Sequence, residues 1–70
     1  MDKILPLAAM EHIMKKAAPE MRVSDTAKDA LREYLEEKGL ELSKVAAEFS
    51  LHAGRKTLKA EDIRLAAKKH

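Results

Sequence analysis

Apolar positions along the chain fall into three runs at helical spacing. In the first, Leu7, Met10, Met14 and Ala17 recur at intervals of three and four, the repeat of one helix face. Pro6 suits a first helical turn, where its missing N–H costs nothing. Pro19 stops the run, because the residue before a proline avoids the α region. These signals predict a helix over about 5–18, followed by a connector through Pro19, Glu20, Met21, Arg22 and Val23.

The second run is much longer. Ala27, Leu31, Tyr34, Leu35, Lys38, Leu42, Val45, Ala46 and Phe49 share one stripe, with Leu40, Ala47 and Leu51 beside it. Ser24 or Asp25 is a good N-cap, and no strong breaker follows before Ala53. Gly39 is the weak point, costing roughly 1 kcal/mol relative to alanine. The predicted helix covers about 25–53 and, at ~1.5 Å per residue, is about 40 Å long. Two short neighbours cannot cover such a helix, so a partner chain is expected to do so.

Gly54 is placed to close the long helix in the left-handed conformation. Thr57 stands where a hydroxyl can cap or brace a last helix over about 59–69, with Ala60, Ile63, Ala66 and Ala67 facing inward. The pattern predicts an all-α fold of short, long and short helices in one domain over residues 1–70.

Composition narrows the possibilities. Seventy residues bury a modest core and usually need disulfides, metal or association for stability. With no cysteine, disulfides and thiolate zinc sites are excluded, which leaves association. No apolar run approaches the ~18 residues of a membrane span, and the start of the chain shows no signal-peptide pattern, so a soluble, cytoplasmic protein is expected. The formal net charge is only +2, but it is unevenly spread. Residues 25–52 carry seven acids and four bases, net −3, whereas residues 53–70 carry six bases and two acids, net +4. Positive charge gathered in one segment suits a polyanion, although an ordinary solvated helix surface fits it too.

Little in the sequence suggests catalysis or metal binding. His12, His52 and His70 are scattered, with no histidine pair at i, i+4. Asp29, Glu33 and Glu37 share a helix face, but beside Lys28, Arg32 and Lys38 they read as solvated surface. There is no glycine-rich phosphate loop and no serine or cysteine triad signature. No enzyme activity, cofactor or metal is expected.

The most informative stretch is His52-Ala53-Gly54-Arg55-Lys56-Thr57, followed by Lys59-Ala60-Glu61-Asp62-Ile63. It ends the long helix, makes a basic turn and restarts a short helix, which brings cations and unpaired backbone donors to one point. Together with Val23-Ser24-Asp25 at the start of the long helix, it resembles the archaeal histones, and the resemblance spans about residues 4–69. That family implies a handshake dimer whose long helices cross. The first loop of one chain then lies beside the second loop of the other. Such an edge would meet double-stranded DNA twice per dimer, and the paired first helices would make a third contact.

The resemblance assigns roles residue by residue. Arg22 matches the arginine that enters a minor groove facing the protein, a device that reads groove shape and not base identity. Thr57 matches the residue that braces this arginine from the neighbouring loop, and Lys56 matches a phosphate contact. Ser24 at the start of the second helix, and His12 and Lys15 on the first, fall among the expected DNA-contacting positions. Arg55 and Asp62, seven residues apart, match an intrachain clamp. His52, with Asp62 of another dimer and with Phe49 and Leu65 around it, matches a four-helix contact between dimers. Packing of DNA on the chromosome or nucleoid follows as the expected role, by a homodimer or a dimer with a paralogous histone.

Some positions depart from the family pattern. Glu11 and His12 stand where an arginine beside a small residue is usual. Glu48 and Leu51, and Leu40 after Gly39, replace frequent basic residues. The first connector is one residue longer, and its Pro19 and Met21 stand where small residues allow turns of a wrapped superhelix to stack. Leu40, Leu51 and the weak net charge suit a rival role, a histone-fold assembly module in a transcription or repair complex.

Overall fold

The computed structural model describes residues 3–69, which form three α-helices and no strand. They are α1 (Leu7–Ala17), α2 (Asp25–His52) and α3 (Ala60–Lys69). The chain divides into two compact units, the first running to Glu37 and the second beginning at Lys38. Helix α2 contributes its first half to one unit and its second half to the other. Met1, Asp2 and His70 lie outside the described residues, and with them the ends of the predicted domain.

In the first unit, Pro6 stands just before α1 in an extended conformation (φ −75°, ψ 144°), not inside its first turn. Its carbonyl accepts the Ala9 N–H at 3.2 Å, and this starts the helix. At the other end Ala18 leaves the α region, as a residue before proline must, while its N–H still reaches the Met14 carbonyl at 2.8 Å. Met10 is the buried centre of α1, and Met14, Ala27, Leu31 and Leu35 are half-buried.

Polar links join α1 and the N-terminal segment to α2. Lys28 Nζ lies 2.7 Å from Glu11 and 3.3 Å from Asp25, so one ammonium serves both helices. Residues 3–5 are held by Glu36, whose Oε2 accepts the backbone N–H groups of Ile4 at 2.6 Å and Leu5 at 2.7 Å. Asp29 completes the set by pairing with Arg32 and, at 3.4 Å, with Lys3.

The second unit is built on Ala46 and Ala66, both wholly buried, with Ser50 and Asp62 as buried polar members. Ser50 lies on the apolar stripe one turn after Ala46. A buried hydroxyl needs a partner, and its Oγ donates to the Thr57 carbonyl at 2.9 Å. Helix α2 ends in a Schellman arrangement. Gly54 takes φ +74°, its N–H reaches the Leu51 carbonyl at 2.9 Å, and the Arg55 N–H reaches the Ser50 carbonyl at 3.0 Å.

The start of α3 differs from the expectation for Thr57. Its hydroxyl does not cap the helix, because Lys59, and not Thr57, immediately precedes Ala60. The Lys59 N–H is taken by Asp62 Oδ2 at 2.9 Å, the acidic half of a capping box. Only Ala66 of the four residues expected to face inward from α3 is buried; Ala60, Ile63 and Ala67 are exposed in the single chain.

Candidate nucleic-acid interface

The two loops present their cations differently. In the first connector Arg22 is exposed and makes no hydrogen bond or ion pair with the described residues. The residues on either side of it are fixed. The Met21 N–H reaches the Ala18 carbonyl at 3.2 Å, and the Met21 carbonyl accepts from Lys15 Nζ at 2.6 Å. On the other side Val23 is half-buried, and Ser24 Oγ accepts the Ala27 N–H at 3.1 Å, which makes Ser24 the N-cap of α2. An open apolar groove of about 300 Å³ runs beside Arg22, lined by Met14, Ala18, Met21, Val23 and Ala27.

In the second loop, Arg55 turns back into its own unit. Its Nη2 lies 2.6 Å from Asp62 Oδ1, and its Nη1 lies 3.2 Å from Glu61. Asp62 thus uses one oxygen for the guanidinium and the other for the Lys59 N–H. Its carboxyl is held below the usual aspartate value, chiefly by that N–H, with Arg55 assisting and burial opposing. Lys56, the next residue, is exposed and unpaired among the described residues. Thr57 is exposed, with its carbonyl committed to Ser50.

The structure therefore brings Arg55 and Asp62 together, whereas Arg22 belongs to one unit and Lys56 and Thr57 to the other. On α1, His12 is exposed, and the Lys15 ammonium is engaged by the first connector. Of the proposed dimer–dimer set, His52 and Leu65 are exposed, Phe49 is half-buried and Asp62 is 2% exposed. Three features escape sequence reasoning, the Glu36 bonds to the N-terminal segment, the Ser50 bond to Thr57 and the Lys15 bond to the Met21 carbonyl. A serine on the otherwise apolar Ala46–Phe49 stripe is the available signal for the second.

A sequence profile of the family described as histone-like transcription factor (CBF/NF-Y) and archaeal histone matches residues 3–67. The chain belongs to this histone family. It is 56% identical over 64 residues to one of the subunits of archaeal histone HAN1 from Thermococcus zilligii, covering 91% of this chain and 94% of that protein. It is 42% identical to probable archaeal histone 3 of Methanocaldococcus jannaschii over 62 residues, covering 89% and 91%. DNA binding and dimerisation are the properties of the histone family, and the three-helix order found here is that of the histone fold.

Each unit of this histone fold leaves large apolar side chains exposed in the single chain. Ile4, Leu7, Ile13, Met21, Tyr34, Leu40, Leu51, Leu58, Ile63 and Leu65 are all exposed in the single chain. Large apolar side chains left exposed in both units of the single chain fit a fold completed by pairing. Among the described residues no helix is long and apolar enough to cross a membrane, and no group of three or more His, Asp or Glu could hold a metal ion.

Proposed function

We propose that this histone pairs as a handshake dimer and binds, bends and compacts double-stranded DNA without reading base sequence. The partner is an identical chain or a paralogue; the name of the Thermococcus relative marks that protein as one component of an assembly. The observation that carries the reading is two exposed loop cations, Arg22 and Lys56, unpartnered among the described residues and each set in a backbone that is otherwise tied down.

Arg22 would enter an inward-facing minor groove, where narrowing deepens the negative potential. Lys56 would meet phosphate as a point charge, with Thr57 beside the arginine of the neighbouring chain. Ser24 at the start of α2 and His12 on α1 would border further phosphate contacts. Bending a short site smoothly costs on the order of 1–6 kcal/mol, which the additional contacts offset. Protein of this kind works on the chromosome.

Dimers would join into larger nucleosome-like particles through a four-helix contact using His52, Phe49 and Leu65. Asp62 reaches that contact only through the lone pairs left over from Arg55 and Lys59. A role as a protein-assembly module is the second reading, favoured by Leu40 and Leu51, which are 43% and 68% exposed.

Duplex affinity measured at several salt concentrations separates the two. The wild type should show a steep log–log salt dependence, which an Arg22→Ala, Lys56→Ala double variant flattens and weakens while its dimer stays intact. Equal, feeble binding by both proteins would move the function to protein partners.

A further inference from the structure

Lys15, on α1, reaches into the first connector. We propose that Lys15 is not itself a phosphate contact but a positioning residue, whose ammonium locks the first loop so that Arg22 projects toward DNA. This rests on the reading of Arg22 as the groove-entering side chain.

Lys15 Nζ lies 2.6 Å from the Met21 carbonyl oxygen. That carbonyl belongs to the same planar peptide unit as the Arg22 N–H, so a bond to one fixes the orientation of the other. The Met21 N–H is held in turn by the Ala18 carbonyl at 3.2 Å, so both peptide units around Met21 are fixed. Two residues after Arg22, the Ser24 cap anchors the chain to α2. Arg22 is therefore suspended between two fixed points, and its own side chain is the uncommitted part.

Met21 itself is 63% exposed in the single chain, so within one chain its side chain does little to hold the segment and the Lys15 bond is the tie that does. The ammonium also rests on the carbonyl of the residue before Arg22, which adds positive charge at the loop without directing a second side chain at the duplex. A lysine spent on a backbone carbonyl is poorly placed to neutralise phosphate, because moving to the DNA would forfeit the tie.

The test combines a double-mutant cycle with a readout on the free protein. Lys15→Met keeps the apolar stem and removes the ammonium, whereas Lys15→Arg keeps a donor. On a duplex long enough to wrap, Lys15→Met should weaken binding about two- to tenfold at fixed salt, the range of one lost hydrogen bond. It should cause no further loss in an Arg22→Ala background, and Lys15→Arg should restore most of the affinity. In the free dimer, Lys15→Met should raise the mobility of the Arg22 amide in nitrogen-15 relaxation, and Lys15→Arg should not.

A phosphate contact would behave otherwise. Lys15→Met would then flatten the salt slope by about 0.9 per contact in both backgrounds, and that result would overturn the proposal. An unchanged Arg22 amide in the Lys15→Met protein would overturn it as well. If Arg22→Ala alone leaves DNA binding intact while Lys15→Met still frees the amide, the groove-entering role of Arg22 fails and the brace stands.

Discussion

Arg55 and Asp62 meet at 2.6 Å across the second loop, and the same carboxylate takes the Lys59 N–H at 2.9 Å. One buried side chain thus starts α3 and holds the guanidinium that follows the Gly54 turn. Glu61, the second partner of Arg55, is exposed and lies farther away at 3.2 Å. Asp62→Ala should therefore lower thermal stability several times more than Glu61→Ala, whose cost should stay below about 1 kcal/mol. Asp62→Asn, which keeps an oxygen for Lys59 and loses the charge, should fall between them. Thermal unfolding of the three variants at neutral pH checks the order, and a Glu61 effect as large as that of Asp62 would contradict it.

Acid should release the N-terminal segment. The Glu36 carboxyl is held below its ordinary 4.5, first by the Leu5 N–H and then by the Ile4 N–H, against the opposing effect of burial. A folded value below the unfolded one adds stability that is whole above about pH 4.5 and drains as the pH falls through the folded value. Glu11, lowered by Lys28, Asp29, lowered chiefly by Arg32, and Asp62 drain in the same direction. Lys28 is raised above 10.5 by Glu11 and Asp25, so its contribution goes only as the pH rises past that value. Protection of the Ile4 and Leu5 amides, corrected for the pH dependence of intrinsic exchange, should therefore fall below about pH 4.5, and in Glu36→Gln it should be lower and no longer vary with acid.

Much of this is legible in the sequence because it depends on near neighbours. Pro19, Ser24 and Gly54 act within a turn of where they stand, so a helix stop, a cap and a left-handed close can be read from spacing. Arg55 and Asp62 are seven residues apart on either side of one tight loop, still within reach of local reasoning. Glu36 is different. It meets Ile4 across 32 positions, through backbone groups that carry no side-chain signature, and from spacing alone its helix face looks like solvated surface. The Lys15 bond is hidden for a related reason: its target is a carbonyl, which sequence patterns do not display. The residue type of Thr57 suits a cap for α3, but the helix starts too late for it.

Gly54 should resist substitution for a purely conformational reason. A Cβ added there would meet nothing within 4 Å, so there is no steric clash with neighbours to consider. Its φ of +74° nonetheless lies in the left-handed region, which costs an ordinary residue roughly 1–2 kcal/mol. Gly54→Ala should destabilise the protein by about that amount, whereas Gly54→Asn should cost less, since asparagine enters this region more readily. Chemical denaturation of both variants measures the difference. Equal losses would mean that contacts with a second chain, and not backbone strain, set the cost.

Ser24 lets the cap of α2 be separated from the charge at the proposed DNA edge. Its Oγ accepts the Ala27 N–H at 3.1 Å, so Ser24→Ala should cost about 1 kcal/mol of stability. Aspartate caps about as well as serine, so Ser24→Asp should leave stability within a few tenths of a kcal/mol. The order should reverse on DNA. Asp25 already places a carboxylate at this helix start, moderated by Lys28 at 3.3 Å, and a second carboxylate would compete directly with phosphate for the same backbone donors. Stability should therefore rank wild type level with Ser24→Asp and above Ser24→Ala, while duplex affinity ranks wild type above Ser24→Ala and Ser24→Asp lowest. Thermal unfolding and duplex binding at one salt concentration give both rankings. If Ser24→Asp binds as well as wild type, the start of α2 does not face phosphate, and the DNA contacts must be confined to the loops and α1.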